Sequence, residues 1–227
     1  MSTIPAWPTH FYVGEVKDHD KIVEAFMPYL LKEKEYFQDT WTLARCTSSC
    51  GHPKNNEMPW ETWWNAIQPN FTEYFEQLGP VRPYTFELVE SWANIYRKDG
   101  FQEIHDHSIP GRMFSCSYFL EFPDDVDSGG ELVLENMDFN RTSSIGIDRI
   151  FKHFNNKCYI PKVKSGTIVI FPTYTYHFTN PNKSHKRRTT FSGNFYVREQ
   201  LDPNSNEAAG SVEPYSHDYM PGKLSNE

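Results

Sequence analysis

The sequence predicts a mainly β protein, an antiparallel sandwich or barrel with supporting helices at its N-terminal end. Three observations predict it. From Pro83 onward, short apolar and aromatic segments (FQEIHDH, RMFSCSYFLEF, ELVLE, KCYIP, GTIVIF, TYHFT and RTTFSGNFYV) are separated by Gly, Pro, Asp or Asn. That is the spacing of many short strands joined by turns, not of parallel strands joined by helices. Aromatic residues make up 16% of the 227, with 16 Pro and 12 Gly beside them, a mix that suits short strands better than long helices. Helical periodicity is confined to the first eighty residues.

In chain order, residues 9 to 14 (THFYVG) read as a short strand ending at Gly14. Asp18 or Asp20 caps a helix through KIVEAFMPYLLKEKEYF, apolar at Ile22, Val23, Phe26, Tyr29, Leu30 and Leu31, with Pro28 kinking or breaking it. Residues 38 to 58 read as loop. A second helix runs from Glu61 to Leu78, where Trp64, Ile67, Phe71, Tyr74, Phe75 and Leu78 recur on one face; Pro69 interrupts it and Gly79-Pro80 ends it. PYTFELVESWANIY alternates apolar and polar positions over part of its length and leads, after Arg97, to the turn KDG. The strands named above follow, with a long insertion over 136–156 of the kind that covers substrates. The division expected is one domain: a helical support over 1–82, the β core over 83–198 and an extended tail over 199–227.

The net charge of -8, from 22 basic against 30 acidic residues, argues against nucleic acid as partner, since phosphate contact needs a basic face. The N-terminus MSTIPAWPTHFYVGEV has neither a basic start nor a long apolar run, and no stretch reaches the length of a membrane span, so a soluble cytoplasmic protein without a membrane partner is expected. In that compartment Cys46, Cys50, Cys116 and Cys158 are expected as free thiols. Cys46-x3-Cys50-x-His52 lacks an evident fourth ligand and reads as a loop, not a zinc site.

Chemistry concentrates in His105-Asp106-His107. In an extended chain successive side chains point to opposite faces, so His105 and His107, about 7 Å apart at the backbone, share a face while Asp106 points away. Two such imidazoles can converge on one cation and need a third ligand, for which His177 in IVIFPTYTYHFTNP is the best candidate. Arg187 and Arg188 follow His177 by ten and eleven residues.

Over Trp92 to Tyr196, about half of the chain, this order resembles the iron(II)/2-oxoglutarate-dependent oxygenases, in particular a small bacterial and phage branch related to prolyl hydroxylases. The residues that carry the resemblance are His105-Asp106-His107, the strand Ser117-Tyr118-Phe119-Leu120, the turn Ser128-Gly129-Gly130-Glu131-Leu132, His177, and Arg187 or Arg188. The resemblance implies a double-stranded β-helix (jelly-roll) core. It also implies Fe(II), 2-oxoglutarate and O2 as cofactor and co-substrates, and hydroxylation of an unactivated C–H bond with release of succinate and CO2. A peptide or protein side chain is the implied substrate, a small metabolite the alternative. The chain departs from the family pattern where a carboxylate usually stands two residues after the first His: here it is His107. Either His105, His107 and His177 form an all-histidine site, which strand parity favours, or a bulge re-aims Asp106 as the ligand. Imidazole suits Fe, Zn, Cu and Ni alike, so the donors do not name the metal.

A 2-oxo acid chelating a metal leaves its far carboxylate inside an apolar barrel, where a guanidinium pairs it with two parallel hydrogen bonds. Arg187 has the more usual family spacing from His177. Arg188 shares strand parity with Thr190, whose hydroxyl can join the same carboxylate, and is preferred. The resemblance adds Tyr96 or Tyr118 as a hydroxyl donor to the keto acid. The remaining histidines read as structural or surface residues. Two other functions fit the same pattern: a cupin-like metal enzyme without 2-oxoglutarate, separable by whether keto acid binds, and a metal-free barrel that only binds a partner.

Overall fold

The computed structural model describes residues 9–40, 43–125, 127–150 and 155–200. Most of the expected tail lies outside the described residues. Two antiparallel sheets face each other, and helices cover the outer side of the larger one.

The strands are β1 (Tyr12–Glu15), β2 (Gln38–Asp39), β3 (Thr47–Ser48), β4 (Tyr84–Tyr96), β5 (Gln102–His105), β6 (Phe114–Glu121), β7 (Leu132–Glu135), β8 (Cys158–Tyr159), β9 (Thr167–Pro172), β10 (His177–Thr179) and β11 (Arg188–Glu199). The larger sheet has the order β1-β9-β6-β11-β4-β3-β2 and the smaller β5-β10-β7-β8. This is the jelly-roll arrangement expected. The N-terminal eighty residues do more than support the core, because β1, β2 and β3 are strands of the larger sheet.

The helices are α1 (His19–Leu30), α2 (Glu33–Tyr36), α3 (Trp60–Leu78) and α4 (Phe139–Ser144). Pro28 falls in the last turn of α1, and the single helix expected from Lys21 to Phe37 breaks after it into α1 and α2. Pro69, by contrast, does not interrupt α3. The hydrogen bond it forgoes is outweighed by a face on which Trp63, Ile67, Phe71, Tyr74 and Phe75 are buried. Trp63 is fully enclosed, Trp64 only partly, and Leu78 is exposed, so the buried stripe is rotated slightly from the one expected. Gly79 closes the helix in the left-handed conformation, φ +71, where a side chain would be strained.

The core lies between these helices and one face of the larger sheet. Phe191 meets Phe26 at 4.4 Å between ring centroids, Trp60 at 5.4 Å and Trp63 at 6.1 Å; Phe195 meets Phe71 at 4.0 Å. Burying each such ring contributes roughly 1.5–3 kcal/mol. In β4 the pairing with β11 skips a residue: Asn194 faces Glu90, but Phe195 faces Leu88. A bulge of this kind shifts side-chain parity. Phe86 and Leu88 therefore pack on the helix side, while Trp92, Asn94 and Tyr96 turn to the space between the sheets. The insertion over 136–156 contains α4 and a 3-10 turn at Ile147–Arg149, with residues 151–154 outside the description. Among the described residues no helix is long and apolar enough to cross a membrane.

Candidate metal centre

The space between the sheets is lined by side chains from both. β4 contributes Trp92, Asn94 and Tyr96, and β11 contributes Arg188, Thr190 and Ser192. From the smaller sheet and its connections come Gln102, His105, His107, His177 and Thr179. These follow from register: Arg188 pairs with Tyr96, Thr190 with Asn94 and Ser192 with Trp92, and directly opposed residues share a face.

His105, His107 and His177 offer ring nitrogens that all lie within 4.8 Å of one another. His105 and His177 are direct cross-strand partners, their ring centroids 4.3 Å apart. His107 arrives differently. β5 ends at His105, so strand parity does not place His107. Its backbone N–H instead bonds the Thr173 carbonyl (2.9 Å), and its ring stands 5.3 Å from His105 and 5.0 Å from His177. Asp106, the alternative ligand, is not part of this group: its carboxylate accepts the Ser108 backbone N–H (3.2 Å) in a local turn. Cys46, Cys50 and His52 do not come together as a metal group among the described residues.

Hydrogen bonds set the tautomer of each ring. Nδ1 of His105 faces the Glu103 carbonyl at 2.8 Å, and Nδ1 of His177 faces the Thr175 carbonyl at 2.9 Å. A carbonyl only accepts, so each Nδ1 carries the proton and donates it, which puts the ring's lone pair on Nε2. Burial, followed by repulsion from His105, pushes His107 down to about 4. Burial, with repulsion from His105 and His107, also holds His177 well below its ordinary value. Three imidazoles that share one space are a donor set that fits a divalent transition ion.

Arg188 stands on the same cavity wall. It is 1% exposed, and its guanidinium lies 4.4 Å from the centre of the Tyr96 ring and 5.1 Å from that of Phe119. Its Nε and Nη1 have no hydrogen-bond partner, and no carboxylate among the described residues forms an ion pair with it. Burial pulls it below its usual value. Gly130, at φ +72, keeps room for the side chain, since a Cβ there would come within 3.0 Å of Arg188 Cδ. Arg187 points the other way and grips Glu121 with two hydrogen bonds (2.7 and 2.8 Å). Tyr118 also leaves the cavity. It belongs to the helix-side core, and its hydroxyl shares a 2.6 Å hydrogen bond with His19. Alternation along β6 explains this: Ser117 faces the cavity and Tyr118 its reverse. Tyr96 does line the cavity, and its hydroxyl donates to Gln102 Oε1 at 2.7 Å.

Residues 90–194 match the model of a family described as "Putative 2OG-Fe(II) oxygenase". The matched stretch belongs to the 2OG-Fe(II) oxygenase superfamily. The protein is thus an oxygenase whose chemistry draws on iron(II), 2-oxoglutarate and O2. Three solved structures place the fold in the same group. A prolyl-4-hydroxylase from Pseudomonas putida superposes with a TM-score of 0.56 at 14% identity, over 84% of this chain and 94% of that one. A Trichoplax adhaerens prolyl hydroxylase, solved with a hypoxia inducible factor peptide fragment, gives 0.56 at 13% identity over 82% and 83%. HygX from Streptomyces hygroscopicus, solved with nickel and 2-oxoglutarate, gives 0.52 at 13% identity over 83% of each chain. No curated protein sequence matches the chain.

Proposed function

We propose that this oxygenase is a hydroxylase of an unactivated C–H bond in which His105, His107 and His177 hold iron(II), and Arg188 pairs the far carboxylate of 2-oxoglutarate. The observation that carries the reading is Arg188 itself. A guanidinium this buried, with two of its nitrogens unpartnered and no carboxylate in an ion pair with it, is costly to the folded protein until an anion occupies the cavity. Its fork matches a carboxylate with two parallel hydrogen bonds. Thr190, next on the same face, can add its hydroxyl, and Tyr96 holds the guanidinium from beneath.

Bound iron(II) supplies the activation of O2 that couples decarboxylation of 2-oxoglutarate to succinate with oxidation of the substrate. The chain supplies the surroundings. The three imidazoles converge on one side of the cavity. Val169, Phe171 and Leu132 keep water from the adjoining wall. Three neutral ligands leave the ion's charge uncompensated by protein, which strengthens its hold on an anionic keto acid. For the substrate we favour a peptide or protein side chain, as the prolyl hydroxylases among the structural neighbours suggest.

Anaerobic titration of metal-depleted protein with Fe(II), then with 2-oxoglutarate, tests this through a visible charge-transfer band. We expect the band in wild type and Arg187→Ala and its loss in Arg188→Ala, because an unpaired buried carboxylate costs about 3–5 kcal/mol. A band that survives Arg188→Ala removes the assigned clamp, and metal binding without any keto-acid band removes 2-oxoglutarate.

A further inference from the structure

His107 is held by something other than a backbone carbonyl. Its Nδ1 lies 2.8 Å from Asn194 Oδ1 and 3.0 Å from Ser115 Oγ, whose own hydroxyl donates to Asn194 Oδ1 at 2.6 Å. Asn194 is 1% exposed, and its Nδ2 donates to Glu90 Oε1. Glu90 is gripped by Arg112 through Nε on Oε1 (2.6 Å) and Nη2 on Oε2 (2.8 Å). The row is built into the sheet: Ser115, Asn194 and Glu90 are direct partners across β6, β11 and β4, at the point where the β4 bulge begins.

The hydrogen-bond directions in this row have one solution. Glu90, paired with Arg112, is a carboxylate and only accepts, so the Asn194 amide nitrogen must face it. The Asn194 carbonyl oxygen must then face His107, and because it only accepts, the proton must sit on His107 Nδ1. The lone pair of His107 is thereby turned to the space shared with His105 and His177. Swapping the amide would set the Asn194 carbonyl against Glu90, acceptor against acceptor.

We infer that Asn194, oriented by the Glu90–Arg112 pair, is a positioning residue that locks His107 in the metal-binding tautomer. The carboxylate missing from the ligand set stands at the far end of this relay, bonded to the third histidine through an amide. The inference rests on the three-histidine reading above. It goes beyond that reading by assigning work to residues that touch neither metal nor keto acid.

The relay predicts a specific rescue. In Asn194→Leu, His107 loses its acceptor, and Co(II) affinity falls by about 10–100-fold, the usual loss when a ligand's outer partner is removed. In the double variant Asn194→Asp with Glu90→Gln, the new carboxylate accepts directly from His107 Nδ1 while the new amide donates to it from the other side. The direction of every hydrogen bond at His107 is kept.

Co(II) is titrated into metal-depleted full-length protein, followed by its visible absorption, with wild type and His107→Ala as references. We expect weakened binding in Asn194→Leu, and recovery of affinity and of the wild-type spectrum in the double variant. Unchanged affinity in a folded Asn194→Leu overturns the relay. So does a folded double variant that binds no better than Asn194→Leu, because a merely structural asparagine would not be restored by polarity alone. Should Asn194→Leu fail to fold, the double variant decides against wild type: a weakened or altered Co(II) site overturns the relay. His107→Ala that binds Co(II) as tightly as wild type instead sinks the three-histidine reading beneath it.

Discussion

The two faces of β11 divide the work of the molecule between alternate residues of one strand. On the helix side, Phe191 and Phe195 are completely buried against aromatic rings from α1 and α3. On the other side, Arg188, Thr190 and Ser192 face a cavity in which buried polar groups remain unmatched, including Arg188 Nε and Nη1 and Asn94 Oδ1. Burial is nearly equal on the two faces; the helix side leaves the Trp63 indole N–H without a partner, the cavity side a guanidinium and an amide oxygen. The difference teaches that the strand is anchored by one set of side chains so that the other can stay unsatisfied until ligands arrive.

Substitutions on each face should separate stability from binding. The largest expected effect is Phe191→Ala, which removes a ring touching Phe26, Trp60, Trp63 and Tyr118. It should lower unfolding stability by about 3–5 kcal/mol. 2-Oxoglutarate affinity, measured well below the melting temperature, should stay within a few-fold of wild type. A large affinity loss in the folded variant would mean that the faces are not independent.

A second test concerns acid. His107 is held down to about 4, and His177 well below its ordinary value, chiefly by burial. The metal-free folded protein thus refuses protons that the unfolded chain accepts. Its stability is full above about pH 6.5 and declines as pH falls toward 4, by ~1.4 kcal/mol per unit for each such histidine. Denaturant midpoints of the metal-free wild type and His107→Gln should therefore converge as pH drops through this window. Parallel curves would show that His107 is not held neutral by the fold.

The smallest effect is also the most diagnostic. Arg188→Met keeps the volume but removes an unpaired buried charge, so the ligand-free protein should gain on the order of 1–2 kcal/mol while losing the keto acid. A variant less stable than wild type would show that Arg188 is already satisfied, and that the two faces differ less than the structure implies.

Much of this division is legible in the sequence, because a period of two survives wherever a strand is regular. Arg188 stands in phase with Thr190, Ser192 and Asn194; the first three line the cavity, and Asn194 reaches His107 on the same side of the sheet. The signal fails where regularity does. His107 lies past the end of β5, and its position depends on a backbone bond to Thr173 that no local pattern announces. In β6 the residues on both faces, Phe119 as well as Cys116, Tyr118 and Leu120, are buried, so alternation carries no contrast there and Tyr118 could not be assigned. Asn194 and Glu90 are 104 positions apart and meet at a bulge. A trace of it is visible in FELVESWANIY. Phe86 and Leu88 share one parity with Trp92, Asn94 and Tyr96, yet the polar Asn94 does not belong in the same core, and only a slip between them reconciles the two halves.

The direct pairing of His105 with His177 reaches beyond ligand geometry. β5, β7, β8 and β10 have only two to four residues each, and the two histidines sit opposite one another across adjoining strands of that sheet. An ion held by both would act as a rivet through the thinner wall of the barrel. Loading and durability then become one equilibrium: a ligand bound only by the folded state adds about 2.7 kcal/mol at a hundredfold excess over its Kd. Under metal scarcity such a protein would fail first as a substrate of proteases, and its abundance would follow the supply of iron.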